Sequence, residues 1–288
     1  MSIAVAKEYV SVLDEIYKYA SLTAVLDGDN GLVRAGANAG EIMVPKMTLD
    51  GLGDYSRTSG YVNGAVSIAW ETIAADYERG RKFWVDILDD EETRNVAFGK
   101  LAGEFIRTKV VPELDAYRIA KYCGTSNIGY ATGTLSSGAD VISALRTATS
   151  TMDNAEVPYE DRVLFIVPNL LGLVEDLDTT KSREVLDAFS NVVKVPQTRM
   201  YTAITLYDGS TEGETGGGYI KNASSGKDVN FLVVSKSAVR QFNKHAAPKV
   251  ISPENNPDGD AYIYGYRVTS IAKVLDNKVA GVYRHNKA

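Results

Sequence analysis

The chain has 288 residues, 44% hydrophobic and 24% charged, with a net charge of −6. That apolar share is enough for a sizeable core in one large domain or two medium ones, which argues against intrinsic disorder. One Cys and two His exclude an internal disulfide, a zinc knuckle and a CxxC redox pair, no run nears the roughly 20 apolar residues of a bilayer span, and no Lys/Arg cluster offers the basic footprint for gripping phosphates.

The opening MSIAVAKEYVSVLDEIYKYA carries Glu8, Asp14 and Glu15 and has no basic leader before an apolar run, so it reads as an arm-like, amphipathic segment. Val10, Leu13, Ile16 and Tyr17 share one helical face. Synthesis and use in the cytoplasm is the expectation. In LDGDNGLVRAGANAG, Asp27 and Asp29 resemble the start of a calcium loop, but Gly31 stands where the third ligand belongs and no Glu follows at the twelfth position. A turn is expected there.

Residues 41–87 have a β pattern. Ile42, Val44 and Met47 form one extended run, Gly51 to Gly60 a flexible tip, and Val66, Ile68 and Trp70 alternate with Ser67, Ala69 and Glu71 as a half-buried strand does. A turn at Arg79–Gly80 is expected to lead into Lys82–Ile87. Such a hairpin has too little core to stand alone and is expected to lie on another subunit.

Asp89 or Asp90 then caps a predicted helix running to about Tyr122, with Asp90, Glu91 and Glu92 in its first turn, where the helix dipole favours anions. Leu101, Phe105, Val110, Leu114 and Tyr117 keep helical spacing, Pro112 should bend the run, and Gly124 ends it. At 1.5 Å per residue such a helix is roughly 50 Å long, the dimension of a spine. A helix is expected over 138–153, a doubly buried strand over Arg162–Pro168, and a short helix over Leu170–Leu177. Another helix over 181–191 follows, with Val185, Leu186 and Phe189 inward. Strands are expected at Val192–Pro196 and Tyr201–Tyr207, then an exposed Gly-rich excursion over 208–228 and a buried strand Phe231–Val234. Ser235 is read as the cap of a short helix carrying Ala238, Val239 and Phe242. The tail is β-rich, with Tyr262, Tyr264, Tyr266 and Val268 alternating with Ile263, Gly265 and Arg267. The sum is an α+β chain. Its 17 tyrosines against 7 phenylalanines suit either wet protein–protein contacts or cores in which Tyr replaces Phe.

Catalytic chemistry finds no home in this pattern. His245 and His285 have no Ser–His–Asp or Cys–His companion and read as surface or interface residues. Gly216–Gly218 lacks the Lys-Ser/Thr of a phosphate loop, and the acidic run at 89–92 is explained by its place at a helix start. No catalytic, cofactor-binding or metal-ligating residue is assigned.

The order of elements, with GLGDYSRTSGYVNGAVSIAWETIAADYERGRKFWVDILDDEET, FIRTKVVPELDAYRIAKYCG, VVSKSAVRQFNKHAAPKVISPENNPDGDAYIYGYRV and KVAGVYRH, resembles the major capsid proteins of tailed bacteriophages with the Hong Kong 97-type fold, over residues 41–288. The resemblance implies an N-terminal arm at 1–40, an extended loop at 41–87, and a peripheral domain with the spine helix at 88–137. An axial domain at 138–245 and strands returning to the peripheral domain at 246–288 complete it. It also implies pentamers and hexamers closing an icosahedral shell around double-stranded DNA, a virion location, no membrane, a portal and, given only some forty residues before the hairpin, a separate scaffolding protein. Lys46 lies in a hairpin strand and not at the tip, so an isopeptide crosslink is not expected. An encapsulin-like compartment shell is the nearest alternative, and a small-molecule enzyme on the centre at 138–245 a more distant one.

Within that reading Arg57, Tyr61 and Trp70 of the hairpin, and Arg79 and Arg81 at its base, are expected to contact adjacent subunits. The Asp90, Glu91 and Glu92 run is the expected charge partner of the arginines. Reversing Arg79 and Arg81 together is expected to block assembly and leave the subunit folded.

Overall fold

The computed structural model describes residues 21–27, 34–35, 41–88, 96–177 and 180–288. Thirteen strands among the described residues form four sheets. The arm segment 1–20, Asp29 and the acidic cap at 89–92 lie outside the described residues.

The hairpin sheet contains β1 (Arg34–Ala35), β2 (Glu41–Leu49) and β3 (Val66–Ala74), in that order. Strands β2 and β3 pair antiparallel from Glu41↔Ala74 to Leu49↔Val66. Pro45 donates nothing to a ladder, and it sits beyond the two β2 residues that β1 covers, Ile42 and Met43. Strand β4 (Tyr77–Asp86) does not belong to this hairpin. It pairs with β12 (Ala261–Val274), whose other side is covered by β11 (Val239–Ile251). The expected turn at Arg79–Gly80 is therefore corrected: both residues are in mid-strand, and the chain passes from β3 to β4 through Ala75–Asp76 without a turn. Val239 and Phe242 likewise lie in β11 and not in a helix, after a single 3-10 turn at Lys236–Ala238. Three apolar residues at that spacing fit either state, and a ladder of partners on β12 decides for the strand.

The spine comprises α1 (Val96–Phe105), a π-helical turn at Ile106–Val110 and α2 (Val111–Gly124). Pro112 occupies the first turn of α2. It has no N–H to give the carbonyl one turn back, and the widened π turn immediately before it absorbs that missing bond. Leu114, Ile119, Tyr122 and Cys123 are fully buried on the larger core, which joins the spine to the β4–β12 sheet and to one face of the central sheet.

The central sheet runs β5 (Gly129–Thr132), β13 (Val282–Asn286), β10 (Val229–Ser235), β6 (Arg162–Ile166), β7 (Asn191–Lys194). Every residue of β6 and β10 is buried, as the continuous apolar runs predict. Helices α3 (Gly138–Asn154), α4 (Pro168–Glu175) and α5 (Thr180–Asp187) cover the other face through Val141, Leu145, Val174 and Val185. Ser137 and Asp140 form a capping box at the start of α3. Gly138 permits α3 to meet α4, since a Cβ there would lie 2.2 Å from the Leu173 carbonyl oxygen. Strands β8 (Ile204–Leu206) and β9 (Tyr219–Lys221) make a small hairpin at the root of the 208–228 excursion. Strand β13 enters the middle of the central sheet, so the chain after 246 serves both sheets.

Candidate assembly surface

The hairpin changes character along its length. At its root Ile42, Val44 and Ile73 are buried against Ile271 and Leu275, a small satellite of the main core. Ion pairs surround that root: Glu71 with Lys273, Lys121 with Asp76, and Glu78 with Arg267. The Tyr117 hydroxyl also donates to Asp76, and burial together with that carboxylate keeps the phenol protonated far above its usual range.

Beyond the root the strands are exposed. Ile68 is 61% exposed and Trp70 41%, and all of Val66–Trp70 is open to solvent on both faces. The alternation of Val66, Ile68 and Trp70 implies half-burial, and all three are instead exposed. Leu49, Leu52, Tyr55, Tyr61 and Val62 extend this apolar surface to the tip. The tip is nevertheless organised by local bonds. The Ala65 amide donates to the Asp50 carboxylate at 2.7 Å, Ser56 Oγ accepts from the amides of Thr58 and Ser59, and Tyr55 meets Tyr61 edge-on at 4.9 Å. Among the described residues β3 is also the edge of its sheet. A long apolar edge strand is a template for another chain, which isolated proteins normally blunt with charge or proline.

The basic residues divide. Arg57 is exposed at the tip with Tyr61, and Arg81 donates to the Thr215 carbonyl at 2.9 Å. Arg79 is different: Nε pairs with Glu113 Oε1 at 2.8 Å, and Nη2 donates to the Tyr207 carbonyl at 2.6 Å. The Tyr77 hydroxyl donates to the same Glu113 oxygen at 3.0 Å, and burial holds it protonated. Arg79 thus bolts β4 to the spine and to the 207–218 loop inside one subunit. Beside it a groove of about 750 Å³ opens between β4, the π turn and that loop, floored by Phe83, Phe105 and Tyr266. The suggested partners Asp90, Glu91 and Glu92 lie outside the described residues.

Sequence reasoning missed the most heavily bonded polar cluster. Asp115 and Arg118, on the same stripe of α2 as Leu114 and Tyr122, are wholly buried. Asp115 accepts from Ser21 Oγ at 2.8 Å, Thr23 Oγ1 at 2.7 Å, the Leu22 amide at 3.0 Å and Arg199 at 3.2 Å. Arg118 donates to Thr23 Oγ1, Asn243 and Ser270. The available signal was two opposite charges in register with the apolar stripe of a helix. His285, read as a surface or interface residue, is instead buried within the subunit: its ring stacks on Phe231 at 5.1 Å and Nδ1 accepts from Asn230 Nδ2 at 3.0 Å, with burial lowering its pKa. Nothing is described of the His245 side chain. Among the described residues no group of three or more His, Cys, Asp or Glu is placed to hold a metal ion.

Neither a protein-family model nor a curated protein matches the chain. Solved structures do. A structure of Gordonia phage Cozz is 14% identical with a TM-score of 0.61, over 93% of this chain and 86% of that one. The capsid of Myoviridae phage XM1 gives 12% identity and a TM-score of 0.56, over 93% and 91%. A virus-like particle from Pyrococcus furiosus gives 12% and 0.51, over 94% and 98%. With the hairpin, the spine and the two sheets in the order described, the chain has the α+β Hong Kong 97-type fold of phage capsid subunits.

Proposed function

We propose that this chain is the major capsid protein of a tailed bacteriophage: a structural subunit, not an enzyme, that assembles as pentamers and hexamers into the icosahedral shell enclosing double-stranded DNA. One observation carries the reading. On a body of this fold stands an apolar hairpin, locally organised but exposed from Leu49 to Trp70. Burying that surface on neighbouring copies gains order and apolar contact together, and symmetry repeats the gain around each capsomer. Arg57, Tyr61, Trp70 and Arg81 are the residues we place at that contact, with Asp90, Glu91 and Glu92 as candidate acidic partners. The net charge of −6 suits a container that encloses DNA and leaves it unclamped. A scaffolding protein and a portal are the further partners, and the virion is the site of action. The polar groups of the groove favour a structural role, because Tyr77, Arg79 and Glu113 are engaged with each other.

The test is electron microscopy with light scattering on the purified chain, alone and with the scaffolding gene product encoded beside it. Closed shells, or capsomers that convert to shells, are expected. A monomer or dimer under every condition overturns the reading. The likeness to a virus-like particle over 98% of that chain supports a second reading, a compartment shell. Nuclease-protected DNA inside particles from producing cells favours the first, and an enclosed protein cargo the second.

A further inference from the structure

The segment Ser21–Asp27 is bound to the body as a peptide is bound in a site. It forms a 3-10 turn, Leu22–Leu26, whose Thr23 and Leu26 are buried. Its polar groups are matched one by one by the body. Asp115 takes both hydroxyls, Ser21 Oγ and Thr23 Oγ1, and both amides, those of Leu22 and Thr23. Arg118 donates to Thr23 Oγ1 from the other side, and Gln241 Nε2 donates to the Thr23 carbonyl and to Asp27 Oδ1. The Tyr122 hydroxyl fixes Gln241 by donating to its Oε1 at 2.6 Å. Asp115 and Arg118 lie wholly within the body, on the spine helix, so undocking the segment would strip a buried carboxylate of four donors.

We propose that Ser21–Asp27 is a mount and not part of a free arm. Asp115 acts as its positioning residue, holding Ser21–Asp27 at one fixed point on the spine. Charge and geometry act together here. A carboxylate accepting four short-range donors from one heptapeptide sets the register of that peptide, which apolar contact through Leu26 alone would leave able to slide. The register matters for assembly, a statement that rests on the capsid reading; the docking itself does not.

The experiment is hydrogen exchange by NMR or mass spectrometry on the full chain and on two double variants. S21A/T23V deletes both hydroxyl donors and leaves the spine helix untouched; S21T/T23S keeps them. In the parent and in S21T/T23S, the Leu22 and Thr23 amides are expected to exchange slowly, like those of α2. In S21A/T23V their protection is expected to fall by about 100-fold, the loss of hydrogen bonds to a charged acceptor, with α2 unchanged. Unchanged protection at 22 and 23 overturns the proposal, as does a uniform loss over the whole molecule, which would mean ordinary core packing. Electron microscopy of the same samples reads the second half. Shells from the parent and S21T/T23S but none from S21A/T23V support a role in assembly, and shells from all three overturn it. If the parent forms no particle, the capsid reading fails while the exchange data still decide the mount.

Discussion

Arg79 is the residue through which β4, the spine and the 207–218 loop are joined, because it donates both to the Glu113 carboxylate and to the Tyr207 carbonyl. Arg79→Ala leaves that carboxylate, on a side chain 11% exposed, without its cation. A loss of about 2–3 kcal/mol is expected, read from the urea midpoint. Arg79→Glu would be worse, placing two carboxylates face to face, so the reversal of Arg79 with Arg81 is not a clean test of assembly. Arg81→Glu alone is: its stability should stay within about 0.5 kcal/mol of the parent while shell formation fails. His285 carries a prediction in pH. Its folded pKa is lowered by burial, so the folded state takes its proton later than the unfolded state on acidification. The stability it contributes is complete above about pH 6.5, the free imidazole value, and is lost as pH falls through the lower folded value. His285→Gln should therefore show a shallower fall of Tm between pH 7 and 5, and parallel curves would refute this. Such residues were hard to read from sequence for one reason. The donors to Asp115 come from positions more than eighty residues away, and local spacing reports only that a helix is present.

At the scale of elements, the hairpin is separable from the body. Its buried residues are confined to the root, and Leu49 faces Val66 across the ladder. Replacing residues 50–65 by Asn-Gly would close the strands with a two-residue turn. The shortened chain should keep the parent Tm and form no shells; a large drop in Tm would show that the tip supports the body. The spine, the α3 capping box and the doubly buried strands β6 and β10 were legible because each is dictated by its own residues: helical spacing, Ser137 with Asp140, and unbroken apolar runs. The break between β3 and β4 was not. Ala75–Asp76 has neither Gly nor Pro, and Asp76 is held by Tyr117 and Lys121, far along the chain. Gly80, which invited a turn, instead lets β4 approach β12, where a Cβ would lie 2.9 Å from the Tyr266 carbonyl oxygen.

For the whole molecule, copies with a net charge of −6 repel one another, while the apolar hairpin attracts. Screening shortens the repulsion from roughly 10 Å at 0.1 M salt to roughly 3 Å at 1 M. The concentration needed for assembly, followed by light scattering, should fall as salt rises. A rise would mean that ion pairs between copies, such as those drawn for Arg57 and Arg81, dominate the contact. The class of fold was legible from the order of elements, whereas the sharing of the C-terminal strands between two sheets was not, since β13 and β5 pair in parallel across most of the sequence. That pairing has a consequence for timing. On the ribosome, β5 and β10 are made well before β13, the strand that must lie between them. Until it arrives, the facing strand edges of β5 and β10 stay unmatched, and folding waits on a late, long-range contact. A nascent subunit is thereby kept from presenting a finished surface to its neighbours before its own synthesis has passed residue 286.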